Sequence, residues 1–170
     1  MNKAIVNIIR FIILIAMQVF ICNNIDFFGF INPYIYILAL LLLPLEIPKS
    51  AQYLIAFATG FIIDMFSLTF GMHASASLLV MLARPYIVNL LNGRHTTEGI
   101  EKPIPGVKDF NWLLAYTLIL VFIHHFTFTL LEVFNFHEFF RTLGISLLNA
   151  IFTTLIILCI EYIFIPVKKR

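Results

Sequence analysis

Six stretches of this chain contain no Lys, Arg, Asp or Glu: residues 11–25, 27–45, 50–63, 65–83, 110–131 and 142–160. With its flanks, each can hold a helix of the ~17–25 residues that cross a bilayer, although the third and fourth share the region around Asp64. The chain is 61% hydrophobic and 12% charged, against about 45–50% and about 25% in a typical soluble domain. A soluble fold of this length has no interior large enough for so much apolar surface. The expected architecture is all-α and integral to the membrane: a six-transmembrane helical bundle forming a single domain over residues 1–170. Its spans are expected at about 4–25, 30–45, 51–68, 72–91, 110–133 and 142–165, with a loop over 92–111.

The basic residues orient this bundle. With the amino terminus in the cytoplasm, ten of the eleven Lys and Arg fall inside, and Arg141 alone falls outside. Short loops on the cytoplasmic side carry this kind of excess. The bias also sets the parity, because five spans would put Lys168, Lys169 and Arg170 outside. Both termini and the 92–111 loop are therefore expected to be cytoplasmic. Arg10 interrupts the first apolar run and no small-x-small site follows it, so a cleaved signal peptide is not expected. Cys22 and Cys159 fall near opposite faces of the membrane and read as small packing residues, not as a disulfide.

Against this apolar background the polar residues stand out. An aspartate at mid-membrane costs about 2.5–3.5 kcal/mol on insertion scales, which makes Asp64 a functional or structural site by default. Gly60 and Asp64 are separated by one helical turn and share a face. The glycine admits a close neighbour, whether another span of the chain or a docked partner helix, and Asp64 projects into that contact. Gly71 is expected to supply the backbone freedom for a tight reversal before His73. Pro85 should kink the fourth span, with Arg84 reaching toward the headgroups. On the fifth span His125, Thr129 and Glu132 share a face, and on the sixth Arg141, Asn149 and Thr153 do the same. His125, Glu132, Arg141 and Asn149 are thus candidates for an outer polar cluster. Arg141 is expected to pair with Asp64 or Glu132, while His124 and His125 are expected to pack and hydrogen bond within the bundle.

The chain contains no G-x-S-x-G, no H-E-x-x-H, no phosphate-cradling glycine loop and no Cys/His metal spacing. Enzyme activity, a metal and a cofactor are therefore not expected. The 92–111 loop is too weakly basic for nucleic acid, and the scattered polar groups form no connected relay for ion transport.

The run Gly60-Phe-Ile-Ile-Asp64, then Ser67-Leu-Thr69-Phe-Gly71-Met-His73-Ala74 and Ala83-Arg84-Pro85, resembles MreD, the rod shape-determining membrane protein family of bacteria. Length, six spans and internal termini agree with that resemblance over essentially the whole chain. It implies a non-enzymatic component of the cell-elongation machinery in the bacterial cytoplasmic (inner) membrane. The partners implied are an MreC-like membrane protein, membrane lipids and, indirectly, MreB filaments, RodA and a class B penicillin-binding protein. Gly60, Asp64, Gly71, His73, Arg84 and Pro85 are the residues that match. The family also resembles, in fold, the substrate-binding subunits of energy-coupling-factor transporters. A small-molecule-binding transporter subunit is therefore the alternative expectation.

Overall fold

The computed structural model describes residues 3–25, 31–93, 103–105, 107–134 and 136–164. Helix α1 spans Lys3–Phe20 and is followed by a 3-10 turn, Cys22–Asn24. A short helix α2 covers Ile37–Leu41, and the long helices α3 (Lys49–Ser67) and α4 (Met72–Asn92) come next. Helix α5 is Phe110–Val133, and a 3-10 turn at Phe136–Glu138 leads into α6, Phe139–Phe164. Five of these helices are long and apolar enough to cross a membrane. The structure is thus that of an all-helical, multi-pass membrane protein, with no strand among the described residues. Residues 94–102 and 106 of the expected loop over 92–111, and the basic tail, lie outside the described residues.

Helices α3 to α6 pack in chain order, each on the next, and α1 lies against α3. Helix α3 shows how such a bundle inverts the pattern of a soluble helix. Its large apolar side chains Leu54, Phe61, Met65 and Phe66 are exposed, whereas Ala56, Thr59, Gly60 and Asp64 are buried. Small residues at the interface let helix backbones approach, and bulky ones are left to face lipid.

The largest departure from expectation concerns residues 30–45, read from the sequence as a membrane helix. Only Ile37–Leu41 is α-helical there, and every residue from Pro33 to Leu43 is buried. Asn32-Pro33 at one end and Pro44 and Pro48 at the other interrupt the helical hydrogen-bond ladder. Non-helical backbone is tolerated at membrane depth only where protein surrounds it and supplies the missing partners. The other helices do so. The Asn32 backbone N–H donates to Asn149 Oδ1 at 2.7 Å, that of Tyr34 to Thr153 Oγ1 at 3.4 Å and that of Tyr36 to Gln18 Oε1 at 3.4 Å. Gln18 Nε2 in turn donates to the Pro33 carbonyl at 3.2 Å. At the far end Arg84 Nη2 donates to the carbonyls of Leu41 and Leu43 at 2.8 and 2.6 Å. The Tyr116 hydroxyl of α5 donates to the same Leu41 carbonyl at 3.1 Å. Helices α1, α4, α5 and α6 thus each contribute polar side chains to one central segment.

The chain reverses between α1 and α3. Asn23, just past the end of α1, donates through Nδ2 to Oγ of Ser67, the last residue of α3, at 2.9 Å. The carboxyl ends of these two helices therefore lie together, and the central segment runs through the interior toward the amino end of α3.

Candidate functional site

Gly60, Asp64, Thr69, Gly71 and His73 form one built unit at the α3–α4 reversal. The Asp64 carboxylate, 4% exposed, accepts the backbone N–H of His73 at 3.0 Å on Oδ1 and that of Ala74 at 2.9 Å on Oδ2. Thr69 Oγ1 donates to the same Oδ1. The two amides belong to the first turn of α4, where backbone N–H groups lack intrahelical partners and the helix dipole has its positive end. An aspartate nine residues earlier in the chain thus caps α4 from the side of α3.

Glycine at position 60 makes this possible. A Cβ there would lie 2.5 Å from both the Ala74 Cα and the His73 carbonyl oxygen. No side chain fits, so α4 rests directly on the backbone of α3. The face shared by Gly60 and Asp64 is therefore occupied by the chain's own α4. The link itself is tight: Leu68, Phe70 and Gly71 all have positive φ, at 58°, 47° and 89°. For the two non-glycine residues this conformation costs about 1–2 kcal/mol each. The three hydrogen bonds to Asp64 hold that geometry in place. Gly71 takes the role expected of it, with open space around it and a left-handed backbone.

Beyond the reversal lies a packed ring cluster. The Tyr36 hydroxyl is within hydrogen-bonding distance of Ser77 Oγ at 3.1 Å and of His73 Nδ1 at 3.3 Å, and it also meets His124 Nε2. Tyr34 stacks flat on His125, with centroids 4.7 Å apart, and meets His73 edge-on. Phe128 closes over His73 at 4.4 Å. His125 Nε2 pairs with Thr153 Oγ1 at 3.0 Å, whereas His124 Nδ1 is buried without a partner. Both histidines are buried and hydrogen bonded, as expected. Among the described residues no group of three His, Cys, Asp or Glu side chains is placed to hold a metal ion.

Arg84 requires a correction. Its guanidinium does not reach the headgroups but is fully buried. Besides the Leu41 and Leu43 carbonyls, it donates from Nε to the Tyr116 hydroxyl at 2.7 Å, and Nη1 makes a long 3.5 Å contact with Gln52 Oε1. The carbonyls at the end of a five-residue helix have no intrahelical partners, and Arg84 supplies a fork of donors to them. Pro85 lies within α4.

The expected outer cluster divides. His125 and Asn149 turn inward toward the central segment, while Glu132 and Arg141 are exposed. Arg141 pairs with neither Asp64 nor Glu132. It donates from Nη1 to Glu138 Oε2 at 2.8 Å, one turn away, with 71% of its side chain exposed. Both oxygens of Asp64 are already engaged, by Thr69 and two backbone amides.

Sequence reasoning missed Gln18, Tyr34, Tyr36, Gln52 and Tyr116. A lone glutamine in an apolar helix was the available signal for Gln18, while tyrosines pass as membrane aromatics. Glu161 was also overlooked: it is 2% exposed and its Oε2 has no hydrogen-bond partner. Its position just after an uncharged run resembles an ordinary helix end.

No family model, curated protein or solved structure matches this chain.

Proposed function

We propose that the chain is a six-crossing protein of the bacterial inner membrane, with both termini in the cytoplasm. In this reading it is a non-enzymatic scaffold of the cell-elongation machinery that holds an MreC-like partner and so helps to organise lateral peptidoglycan synthesis. MreB filaments, RodA and a class B penicillin-binding protein would be reached through that partner. The topology rests on the lateral proximity of the α1 and α3 carboxyl ends, which requires the intervening segment to return across the bundle. It rests also on the distribution of Lys and Arg.

The observation that carries the function is the unity of the motif. Gly60, Asp64, Gly71 and His73, four of the six residues that carry the MreD resemblance, are joined in a single capped reversal. Such a device fixes two helices relative to each other, which suits a scaffold. Because α4 covers that face, a partner helix would have to dock on the outward surface of the bundle. The transporter-subunit alternative needs a ligand pocket of about 300–1,000 Å³. The interior between α2, α4 and α5 is packed with the rings of Tyr34, Tyr36, His73, His124 and Phe128.

The test is affinity purification of the tagged chain from native membranes, with mass spectrometry of what accompanies it. An MreC-like protein should be recovered, and depletion of the chain should turn rod cells round. Recovery of an energy-coupling ATPase module with a tightly held vitamin, and no MreC-like protein, would overturn the reading.

A further inference from the structure

A cavity of about 110 Å³ opens between α3 and α4 at the end where α3 begins, lined by Lys49, Gln52, Tyr53, Arg84 and Asn89 among others. None of its lining residues is acidic. Arg84 is fully buried, and every hydrogen bond it makes goes to a neutral oxygen: Tyr116, Gln52 and two backbone carbonyls. A buried cation with no counter-charge is costly, and a nearby anion would relieve that cost. The nitrogen held most loosely, Nη1, contacts Gln52, which also lines the cavity.

Two further sources of positive potential converge here. Lys49 is exposed at the cavity wall. It also opens α3, a helix of 19 residues whose preceding Pro48 offers no side-chain cap and whose first turn holds no acidic residue, so the positive end of the helix dipole adds to the field. The volume is well below the ~300 Å³ at which drug-sized pockets begin, so it suits a phosphate-sized group and not a larger metabolite. On either side, Leu54 of α3 and Leu82, Tyr86 and Leu90 of α4 present exposed apolar surface along which acyl chains can lie. This is also the end that the Lys and Arg distribution assigns to the cytoplasm, where basic pockets between membrane helices take anionic headgroups.

We propose that this cavity binds the phosphate of an anionic phospholipid, with Lys49 and the α3 amino terminus contacting the headgroup and buried Arg84 supplying the field beneath it. The site is separate from the α3–α4 reversal and does not depend on the identity of a protein partner.

The test uses the purified full chain, stripped of lipid in a nonionic detergent. Phosphatidylglycerol, diacylglycerol with the same chains and inorganic phosphate are added separately, and retention is read by native mass spectrometry and thermal unfolding. One phosphatidylglycerol per chain should be retained and should raise the unfolding midpoint, and diacylglycerol should do neither. Lys49→Glu, an exposed change, should weaken retention at least about tenfold, while Arg141→Glu at the other end of the bundle should not. Equal retention of diacylglycerol, or unchanged retention by Lys49→Glu, would overturn the site. If inorganic phosphate reproduces the whole shift and the lipid adds nothing, the lipid assignment is overturned in favour of a soluble anion.

Discussion

The buried guanidinium of Arg84 holds the carbonyl oxygen of Leu41 at 2.8 Å, joining α4 to the end of a helix only five residues long. That contact explains how a segment too irregular for lipid persists inside the bundle. It also gives the buried cation a structural task. Arg84→Leu would strand the Leu43 carbonyl and leave the Leu41 carbonyl with the Tyr116 hydroxyl alone. A buried acceptor left without a donor costs about 1–3 kcal/mol, so folded yield in detergent should fall. Arg84→Lys keeps the charge without the fork of donors and should recover only part of the yield. A fully folded Arg84→Leu variant by size-exclusion chromatography would show that the central segment does not need these donors.

Two glycines offer a matched comparison. Gly144 on α6 has nothing within 4 Å of an added Cβ, whereas at Gly60 the same atom would meet backbone at 2.5 Å. Gly144→Ala should leave stability unchanged or raise it by up to about 1 kcal/mol through helix propensity. Gly60→Ala should lower it by about 1–3 kcal/mol, since α3 and α4 must separate. Thermal unfolding of both variants in one detergent checks the pair, and an equal response would deny the close approach.

The Arg141–Glu138 pair is exposed, and exposed ion pairs contribute about 0–1 kcal/mol. Arg141→Leu should therefore shift the unfolding midpoint little. A loss comparable to that of Arg84→Leu would mean that Arg141 has a buried partner after all.

Orientation is open to chemical labelling. In a background lacking Cys22 and Cys159, a cysteine at His137 should react with an impermeant reagent from outside, and one at Val107 only after the membrane is opened. Both positions are exposed. Labelling of the Val107 position from outside would invert the assigned topology.

The five long helices were legible in the sequence, because an uncharged apolar run is itself the physical requirement for crossing a bilayer; α5 occupies the residues expected of it, Phe110–Val133. Gly60 and Asp64 were legible for a similar reason: the cost of a buried carboxylate and the spacing of one helical turn are both visible in the letters. Residues 31–43 were not, since hydropathy cannot distinguish burial in lipid from burial in protein. Arg84 was misread on the same ground. A basic residue near the end of a span normally reaches for water, and only the broken backbone of a distant segment reveals why this one stays inside. Tyr36 and Gln18 act through contacts with residues far away in the chain, which no local pattern encodes.

The central claim is that the Gly60–Asp64 motif is an internal cap and not a docking face. Its most direct test compares Asp64→Asn with the wild type in two readouts from the same preparation: folded fraction by size-exclusion chromatography, and the amount, per folded molecule, of the MreC-like partner proposed above. The amide can still accept from Thr69 and one backbone amide but sets an N–H against the other, a loss of about 1–3 kcal/mol. The folded fraction should fall, while partner per folded molecule stays at the wild-type level. A variant that folds like the wild type yet loses its partner would contradict the account.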